Sequence, residues 1–446
     1  MAGLQDTDIN DTGFLQVPSG TTAQRPSSPQ TGMLRYNTSD NKFEVYDGTD
    51  WIDIQGSDPT FGSGVDGNVT TSGTVNSYAY MTTSSVGTGN NSATFDTASG
   101  FSVGDKVLIV QSQDGTNTSQ PGNFEEKTVS NIAGTTFTFS TNFYKSYNAN
   151  SGANTNNSRQ VQMVKIRQYG DLTLNGNITA QSWNGRDGGI VAIKCTGTLD
   201  CNGFTITAAE RGYRGGAYGP GNNEGGYTGE GRFGVDTSRA GGAVVNPDPD
   251  GGGGAGGPNQ SLGGCGAGGG SYATQGGVGT RNVGSTIANP GSTYGNQTLE
   301  NELHFGGAGG GGGDNDSQGG SPVTAGEGGG IVYIVADTIT NGRFSANGRT
   351  HVQDPVQGGC GPAVNASGAG GSIWIKSNNA SITSCTANGG ARVQNNGDCA
   401  GDGQNHPNGG AGGNGRIRWD GTVSGSSSPS AYTTSDVGAG VDGITD

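Results

Sequence analysis

The sequence is poor in cationic residues. It contains 22 lysine and arginine residues against 37 aspartate and glutamate residues, which gives a formal net charge of −15. Proteins that bind nucleic acid need a basic stripe or patch that displaces counterions from the phosphates. The charge balance therefore excludes a nucleic-acid partner and favours a soluble chain that is exposed to solvent.

Long hydrophobic runs are also missing. No stretch approaches the roughly 18 apolar residues of a membrane-spanning helix, so no membrane insertion is expected. The first residues, MAGLQDTDINDTG, carry neither the basic nor the apolar region of a secretory signal. We expect an external protein, extracellular after it leaves its cell of origin by lysis.

Cysteine is rare, with six residues between positions 195 and 399. None of them has the C-x-x-C spacing typical of zinc sites. Cys195 and Cys201 bracket a turn, and two interpretations stay open: a disulfide between them, or buried thiols that act as small hydrophobic side chains.

Glycine is what the sequence has in excess. It contributes 91 of the 446 residues, about a fifth against about 7% in average proteins, and no Gly-X-Y period indicates collagen. Hydrophobic residues make up 29% and charged residues 13%, while short apolar runs recur between the glycine tracts. This pattern predicts an all-β, elongated protein with thin cores.

Residues 1–56 form the first predicted unit. Within TGMLRYNTSDNKFEVYDGTDWIDI (residues 31–54), two short strands around a turn and a third after Asp47-Gly48 predict a small β-meander. Such a meander is too small to be stable alone, so we expect it to associate with copies of itself. The candidate residues for oligomerisation and attachment are Leu34, Tyr36, Phe43, Tyr46 and Trp51.

The same stretch resembles a module near the N-termini of tailed-phage structural proteins, fibres in particular. The resemblance lies in Pro18–Thr22, in the strand Gly32–Asn37 and in the segment Phe43–Trp51, so that Gly32–Trp51 is its main part. It implies attachment to a virion beside other virion structural proteins, usually as a homotrimer. It leaves the position on the virion open.

Residues 57–158 are rich in serine, threonine, asparagine and glycine. Lys106–Gln111 follows a Val-Gly-Asp turn, and residues 125–143 predict two strands around Ala133-Gly134. The pattern predicts a small antiparallel β module that acts as a spacer, and no catalytic chemistry is evident in it.

Residues 159–420 contain an internal repeat. GGIVAIK, GGGIVYIV, GGSIWIK and GGNGRIRW each introduce a strand, two copies close with Ala-Asn-Gly, and VQMVKI at residues 161–166 is taken as the first copy. Alternating apolar residues would fill an interior, Asn-Gly would form a tight corner, and copies must stack because each buries too little alone. A right-handed parallel β-helix is favoured over a Gly-rich β-sandwich. Residues 210–327 form a long Gly-rich insertion, and residues 421–446 a C-terminal tail.

The glycine tracts themselves suggest a packing mode. Because glycine has no side chain, extended polyglycine segments similar to polyproline II can approach closely and hydrogen-bond laterally. Interspersed tyrosine and phenylalanine residues would clamp such segments. Flexible loops are the alternative interpretation.

A second resemblance covers the glycine-rich part of the chain. Trp183–Gly185, Gly212–Gly216, Leu303–Gly313 and Gly328–Gly348 are similar to repeat regions of large bacterial surface and secreted proteins. This resemblance implies an adhesive or structural role without enzymatic activity. In composition alone, the tracts also resemble the adhesins at the tips of some phage long tail fibres.

Catalytic and metal chemistry has little support in the sequence. The three histidines, His304, His351 and His406, are far apart and are expected in exposed loops, and no paired carboxylates for glycoside hydrolysis stand out. Asp314 and Asp316 offer hard oxygen ligands for calcium, although solvated loop acids are the simpler interpretation. Apart from this possible calcium, no cofactor is expected.

The aromatic residues of the insertion are the candidate receptor site. Aromatic rings stack on the apolar faces of sugars, while asparagine side chains bond to hydroxyl groups. The candidates are Tyr213, Tyr218, Asn222, Asn223, Tyr227 and Tyr272. Clamping of the glycine segments is the alternative role for these tyrosines.

The sequence thus favours a non-enzymatic phage tail-fibre adhesin, a homotrimer whose receptor is a host cell-surface glycan or protein. A purely structural virion or extracellular fibre component is the first alternative. A polysaccharide-degrading tailspike is the second.

Overall fold

The computed structural model describes residues 17–39, 42–53, 59–117, 119–150, 158–217, 225–234, 251–256, 266–280, 288–313, 324–351, 364–392 and 408–437. The chain divides into two compact units, Met1–Pro59 and Thr60–Asp446. Within the described ranges the regular structure consists of β-strands and two short 3-10 turns, and no helix is long and apolar enough to cross a membrane. The all-β fold class is confirmed.

The first unit is a four-stranded sheet in the order β1-β2-β3-β4. Its strands are β1 (Ser19–Gly20), β2 (Leu34–Asn37), β3 (Lys42–Tyr46) and β4 (Trp51–Asp53). The last three pair antiparallel as the predicted meander, and β1 adds to β2 in parallel. Its buried carboxylate, Glu44, lies 2.5 Å from Nη2 of Arg25 and 3.6 Å from Nε of Arg35, so an ion-paired cluster joins the strands to the preceding arm.

The second unit contains the remaining described strands. They are β5 (Val69–Gly73), β6 (Tyr78–Tyr80), β7 (Ser85–Val86), β8 (Ser92–Thr94), β9 (Lys106–Asp114), β10 (Phe124–Ala133), β11 (Thr136–Phe139), β12 (Tyr147–Asn148), β13 (Arg159–Lys165), β14 (Arg167–Tyr169), β15 (Leu172–Thr179), β16 (Ile190–Asp200), β17 (Ile206–Thr207), β18 (Ile331–Ser345), β19 (Ser372–Thr386), β20 (Arg416–Ser428) and β21 (Tyr432–Thr434).

An antiparallel sheet in the order β6-β13-β9-β10-β11-β8 forms the predicted small antiparallel β module. Its core contains aromatic and aliphatic side chains such as Phe95, Phe137 and Met163. Strand β13 lies between β6 and β9 and pairs antiparallel with both. The assignment of residues 161–166 to the repeat was therefore wrong, because these residues complete the antiparallel module.

The repeat forms a stack of parallel strands, with β16, β18, β19 and β20 as neighbouring rungs. Val332, Ile373 and Ile417 are direct neighbours in the stack, 41 and 44 residues apart in the chain. Together with Ile334 and Ile375 they lie in one continuous hydrophobic core. The predicted stacking of apolar rungs is thus confirmed.

The Ala-Asn-Gly sequences at the ends of the rungs do not form the tight corners that were expected. Ala346 fills the core and is fully buried, but Gly348 does not adopt a positive φ, whereas Asn341 within the rung does, at 54°. A Cβ atom on Gly348 would lie 2.1 Å from the carbonyl oxygen of Gly368. Glycine is required here because another backbone approaches, and not because the chain makes a tight corner.

The glycine tracts pack side by side outside the strands, and this packing is termed the polyglycine lattice. Its described segments are 212–217, 225–230, 251–256, 266–271, 288–291, 306–312, 324–330, 364–371, 387–390 and 408–415. Adjacent segments are joined by backbone hydrogen bonds of about 3 Å. The predicted lateral pairing of glycine segments is therefore confirmed.

Segment 306–311 shows the order within the lattice. Its amides donate to three neighbouring segments in turn, in the pairs Gly306 to Gly329, Gly307 to Ser271, Ala308 to Glu230, Gly309 to Gly326, Gly310 to Gly268 and Gly311 to Tyr227. Its carbonyl groups accept from three further segments, 251–256, 212–217 and 364–371. Six segments therefore surround this one, three that accept from its amides and three that donate to its carbonyl groups. The three-residue period of its partners is that of a polyproline II helix.

Candidate functional site

Many of the described segments begin or end at one end of the polyglycine lattice. The residues at these segment ends are 217 and 225, 256 and 266, 280 and 288, 313 and 324, 351 and 364, and 392 and 408. Backbone bonds place the first flanking residues together, since Tyr227 donates to Ala217, Gly226 to Gly256, and Gly256 to Gly311.

Backbone hydrogen bonds at the other segment ends place these residues at the same end of the lattice. They join Gly266 to Thr280, Gly279 to Ala288, Ala267 to Val364 and Thr280 to Asn408. The twelve flanking residues are termed the lattice end. Residues 234 and 251 lie at the opposite end, because Gly226 pairs with Gly256 and Gly229 with Gly253 in antiparallel order.

Tyr213, a candidate receptor residue, is fully buried. Its ring packs edge-on against Phe305 at a centroid distance of 5.2 Å, and Trp183 completes the aromatic cluster. Its hydroxyl donates to the carbonyl oxygen of Ser112. The ring has no face open to a sugar, so its position fits the alternative role as a clamp between the lattice and the antiparallel module.

Tyr272 occupies a similar position in another aromatic cluster and is also fully buried. Its ring lies 4.8 Å from that of Tyr294, and its hydroxyl is 2.8 Å from Oγ of Ser372 in β19. Tyr227 is half-buried within the lattice. Tyr218, Asn222 and Asn223 lie outside the described residues.

The histidines differ from the expectation of exposed loops. His304 is 1% exposed and packs against Tyr294, with its Nε2 atom 3.1 Å from a carboxylate oxygen of Glu302. Burial lowers the pKa of His304 and outweighs the opposing effect of Glu302. His351 is also buried, and His406 lies outside the described residues.

The described part of the chain contains no group of three or more acidic, histidine or cysteine residues placed to hold a metal ion. Asp314 and Asp316 lie outside that part. Cys195 and Cys201 are both buried free thiols, in agreement with the second of the two interpretations left open by the sequence.

The candidate attachment residues of the first unit form two aromatic pairs. Tyr36 and Phe43 have ring centroids 5.2 Å apart, and those of Tyr46 and Trp51 are 5.6 Å apart. These four residues are half-buried, and Leu34 is 38% exposed. The meander by itself therefore leaves part of its apolar surface uncovered.

A charged pocket of about 140 Å³ lies beside the first aromatic cluster. It is lined by Ser182, Trp183, Glu210, Arg211, Gly212, Arg214, Glu327 and Arg349. The pocket could not be predicted from the sequence, because its residues come from four separate parts of the chain. These are the connection after β15, the connection after β17, the lattice and the segment after β18. A high local density of arginine around residues 211 and 214 was the available signal.

Two arginines of the pocket are fixed by carboxylates. Nη1 of Arg349 donates to both carboxylate oxygens of Glu327, at 3.0 and 3.1 Å, and this bonding raises the pKa of Arg349. Arg214 donates to both oxygens of the buried Glu230 at 3.0 Å. The indole nitrogen of Trp183 also donates to Glu230, at 3.1 Å, so the pocket wall is held by charge-assisted bonds.

No model of a known protein family matches the chain, and no curated protein matches it in sequence. Solved structures similar to it include phage tailspikes. Gp61 of Pseudomonas phage phi297 is 16% identical, over 32% of this chain and 21% of that one, with a TM-score of 0.18. Gp49 of Pseudomonas phage LKA1 is 14% identical, over 31% and 23%, with a TM-score of 0.16.

A third similar structure is the Gp54 tailspike of Acinetobacter baumannii bacteriophage AP22 in complex with A. baumannii capsular saccharide. It is 14% identical, over 82% of this chain and 54% of that one, with a TM-score of 0.17. The chain thus spans between 21% and 54% of these proteins. At such TM-scores the similarities carry no argument about function.

Proposed function

We propose that the chain is a phage tail-fibre adhesin that binds a host cell-surface glycan or protein without enzymatic activity. In this proposal the N-terminal meander attaches the chain to other virion proteins and associates as a homotrimer. The resemblance of Gly32–Trp51 to the phage module and the uncovered apolar surface around Leu34 support this part.

The lattice end is the observation that carries the binding role. Binding residues are concentrated on connections that a rigid scaffold positions, and this scaffold brings six connections to one end. The candidates Tyr218, Asn222 and Asn223 belong by sequence to one of them, and Asp314 and Asp316 to another.

The bonding of the lattice also suits an adhesin in evolutionary terms. Its segments are joined through main-chain atoms, such as the amide of Gly256 and the carbonyl of Gly311. These bonds use no side-chain atoms. A fibre could therefore change its receptor by substitution in the connections while the main-chain bonds of the scaffold stay intact.

The proposal is tested with fluorescently labelled full-length protein on a panel of bacterial strains, by flow cytometry. One variant has residues 314–323 and 393–407 replaced by Gly-Ser linkers of equal length, and its matched control has residues 235–250 replaced in the same way. We expect strain-selective binding that the first variant loses and the control keeps. Equal behaviour of the two variants would contradict the role of the lattice end.

The same protein distinguishes the alternatives. Release of sugars from purified host envelope polysaccharide would support a polysaccharide-degrading tailspike instead. Absence of both selective binding and sugar release would leave a purely structural fibre component.

A further inference from the structure

The charged pocket concentrates a residue type that the chain otherwise uses sparingly. The chain has 22 cationic residues, and Arg211, Arg214 and Arg349 all line this one pocket. Glu210 and Glu327 line it as well, and the buried Glu230 pairs with Arg214, so three carboxylates balance the three arginines. An anion would therefore be bound by direct hydrogen bonds from an arginine and not by a net positive charge of the pocket.

The three arginines differ in whether a carboxylate of the protein already binds their guanidinium group. Arg214 and Arg349 are each paired with a carboxylate. Nη1 of Arg211 donates to the hydroxyl oxygen of Ser182 at 3.1 Å, and a guanidinium has five N–H donors in a planar fork. Arg211 therefore retains donors that can receive a planar anion bidentately.

Glu210 is held in the pocket by an unusual backbone. Its φ is 59°, the left-handed region that glutamate rarely adopts, and its amide donates to the carbonyl of Asn347 at 2.8 Å. Strained residues cluster at ligand sites, where the surrounding structure fixes them. The backbone of Glu210 is thus fixed directly before Arg211, and its exposed side chain lines the pocket.

We propose that this pocket binds a single sugar unit that bears a carboxylate, such as a uronic acid. Arg211 receives the carboxylate, and the oxygens of Glu210 and Glu327 accept bonds from ring hydroxyl groups. The volume of about 140 Å³ limits a ligand in this pocket to about one sugar ring and leaves no room for an oligosaccharide. Trp183 is buried and forms the wall.

This inference names a ligand class for the proposed host-binding role and rests on that role for its biological setting. The site itself is separate from the connections at the lattice end. Binding of free sugars in solution therefore tests the pocket alone, whereas the strain panel with replaced connections tests the adhesin.

The experiment compares D-glucuronate with D-glucose, which has the same ring and no carboxylate, by calorimetric titration of the full-length protein. We expect glucuronate to bind more tightly than glucose, and Arg211→Gln to weaken its binding roughly tenfold, the loss of one charge-assisted pair. Arg343→Gln, at a half-buried arginine of β18 outside both the pocket and the lattice end, is the matched control and should bind as the wild type does.

Glu210→Gln should change glucuronate binding in the opposite direction and tighten it, because the amide oxygen still accepts a bond from a ring hydroxyl while the negative charge near the ligand carboxylate is removed. Because Glu210 is exposed, its variant should fold as the wild type does. Thermal unfolding of each protein verifies this. Equal affinity for the two sugars, no binding of either, or the same behaviour of Arg211→Gln and Arg343→Gln would overturn the proposal.

Discussion

The amide of Gly309 donates to the carbonyl oxygen of Gly326 at 2.9 Å, although neither residue belongs to a β-strand. Bonds of this kind order a part of the chain whose composition is otherwise typical of flexible linkers. Ordering a backbone residue costs about 1–2 kcal/mol, and more for glycine. Hydrogen bonds to several neighbours and close backbone contact together offset that cost.

Gly309→Ala should destabilise the second unit strongly. A Cβ atom at Gly309 would lie 2.3 Å from the carbonyl oxygen of Ala366, and backbone on all sides cannot shift without breaking lattice bonds. We expect a loss of about 3 kcal/mol in the free energy of unfolding, the upper part of the usual range for overpacking. Urea unfolding measures it.

Gly87→Ala is the matched control for this substitution. The nearest atom to a Cβ at Gly87 is 3.9 Å away, so its stability should stay within about 0.5 kcal/mol of the wild type. Similar effects of the two substitutions would show that close backbone approach does not explain the glycine content.

Tyr213→Ala should reduce stability without a direct effect on receptor binding. The ring is fully buried against Phe305, and removal of a buried aromatic ring costs about 3–5 kcal/mol. Tyr144→Ala is the control. Because Tyr144 is 51% exposed, its replacement should change the stability little. Thermal unfolding and the strain panel are measured together. An unchanged melting temperature with lost binding would restore Tyr213 as a receptor residue.

Lys376 lies in a buried polar row of the rungs. Nε of Arg418 is 2.6 Å from Oδ1 of Asp420, and the indole nitrogen of Trp374 donates to Oδ2 of the same carboxylate at 2.7 Å. The ammonium of Lys376 lies 4.4 Å from the centroid of the Trp374 ring. Burial lowers the pKa of Lys376 to about 8, against the attraction of Asp420.

The stability difference between the wild type and Lys376→Met should therefore depend on pH. A folded pKa of about 8, below the ordinary 10.5, means that the unfolded chain holds the proton more tightly. The contribution of Lys376 to the free energy of unfolding then rises as the pH passes from about 8 towards 10.5. Other titrating groups cancel in the comparison of the two proteins.

Between about pH 7 and pH 9 the wild type should gain about 1 kcal/mol in the free energy of unfolding relative to Lys376→Met. Urea unfolding of both proteins at the two pH values measures this gain. A stability difference between the two proteins that stays constant, or that falls as the pH rises, would contradict a lowered pKa of the buried Lys376.

Much of the fold could be predicted because its causes are local in sequence. The alternation in Ile331–Ala336 and in Ile373–Ile375 indicates strands with one face in a core, and recurrence of the pattern indicates stacked rungs. Glycine tracts without a collagen period left few ways to order the backbone other than lateral pairing. The meander at Leu34–Asp53 followed from turn residues between apolar positions.

The candidate site could not be predicted in the same way, because it depends on distant parts of the chain. The sequence makes Tyr213 and Tyr272 candidate receptor residues, but both rings are fully buried among segments that are remote in sequence. The pocket joins Arg211 to Arg349 only because rung ends and lattice segments meet there. Periodicity within a segment carries no information about which segments become neighbours.

Hydrogen–deuterium exchange of the full-length protein directly measures whether the polyglycine lattice is ordered. We expect the amides of residues 306–311 to be protected to an extent comparable with those of Ile331–Ala336 in β18, since each is bonded to another segment. Exchange of residues 306–311 as fast as that of the exposed turn at Asn202–Phe204 would contradict it.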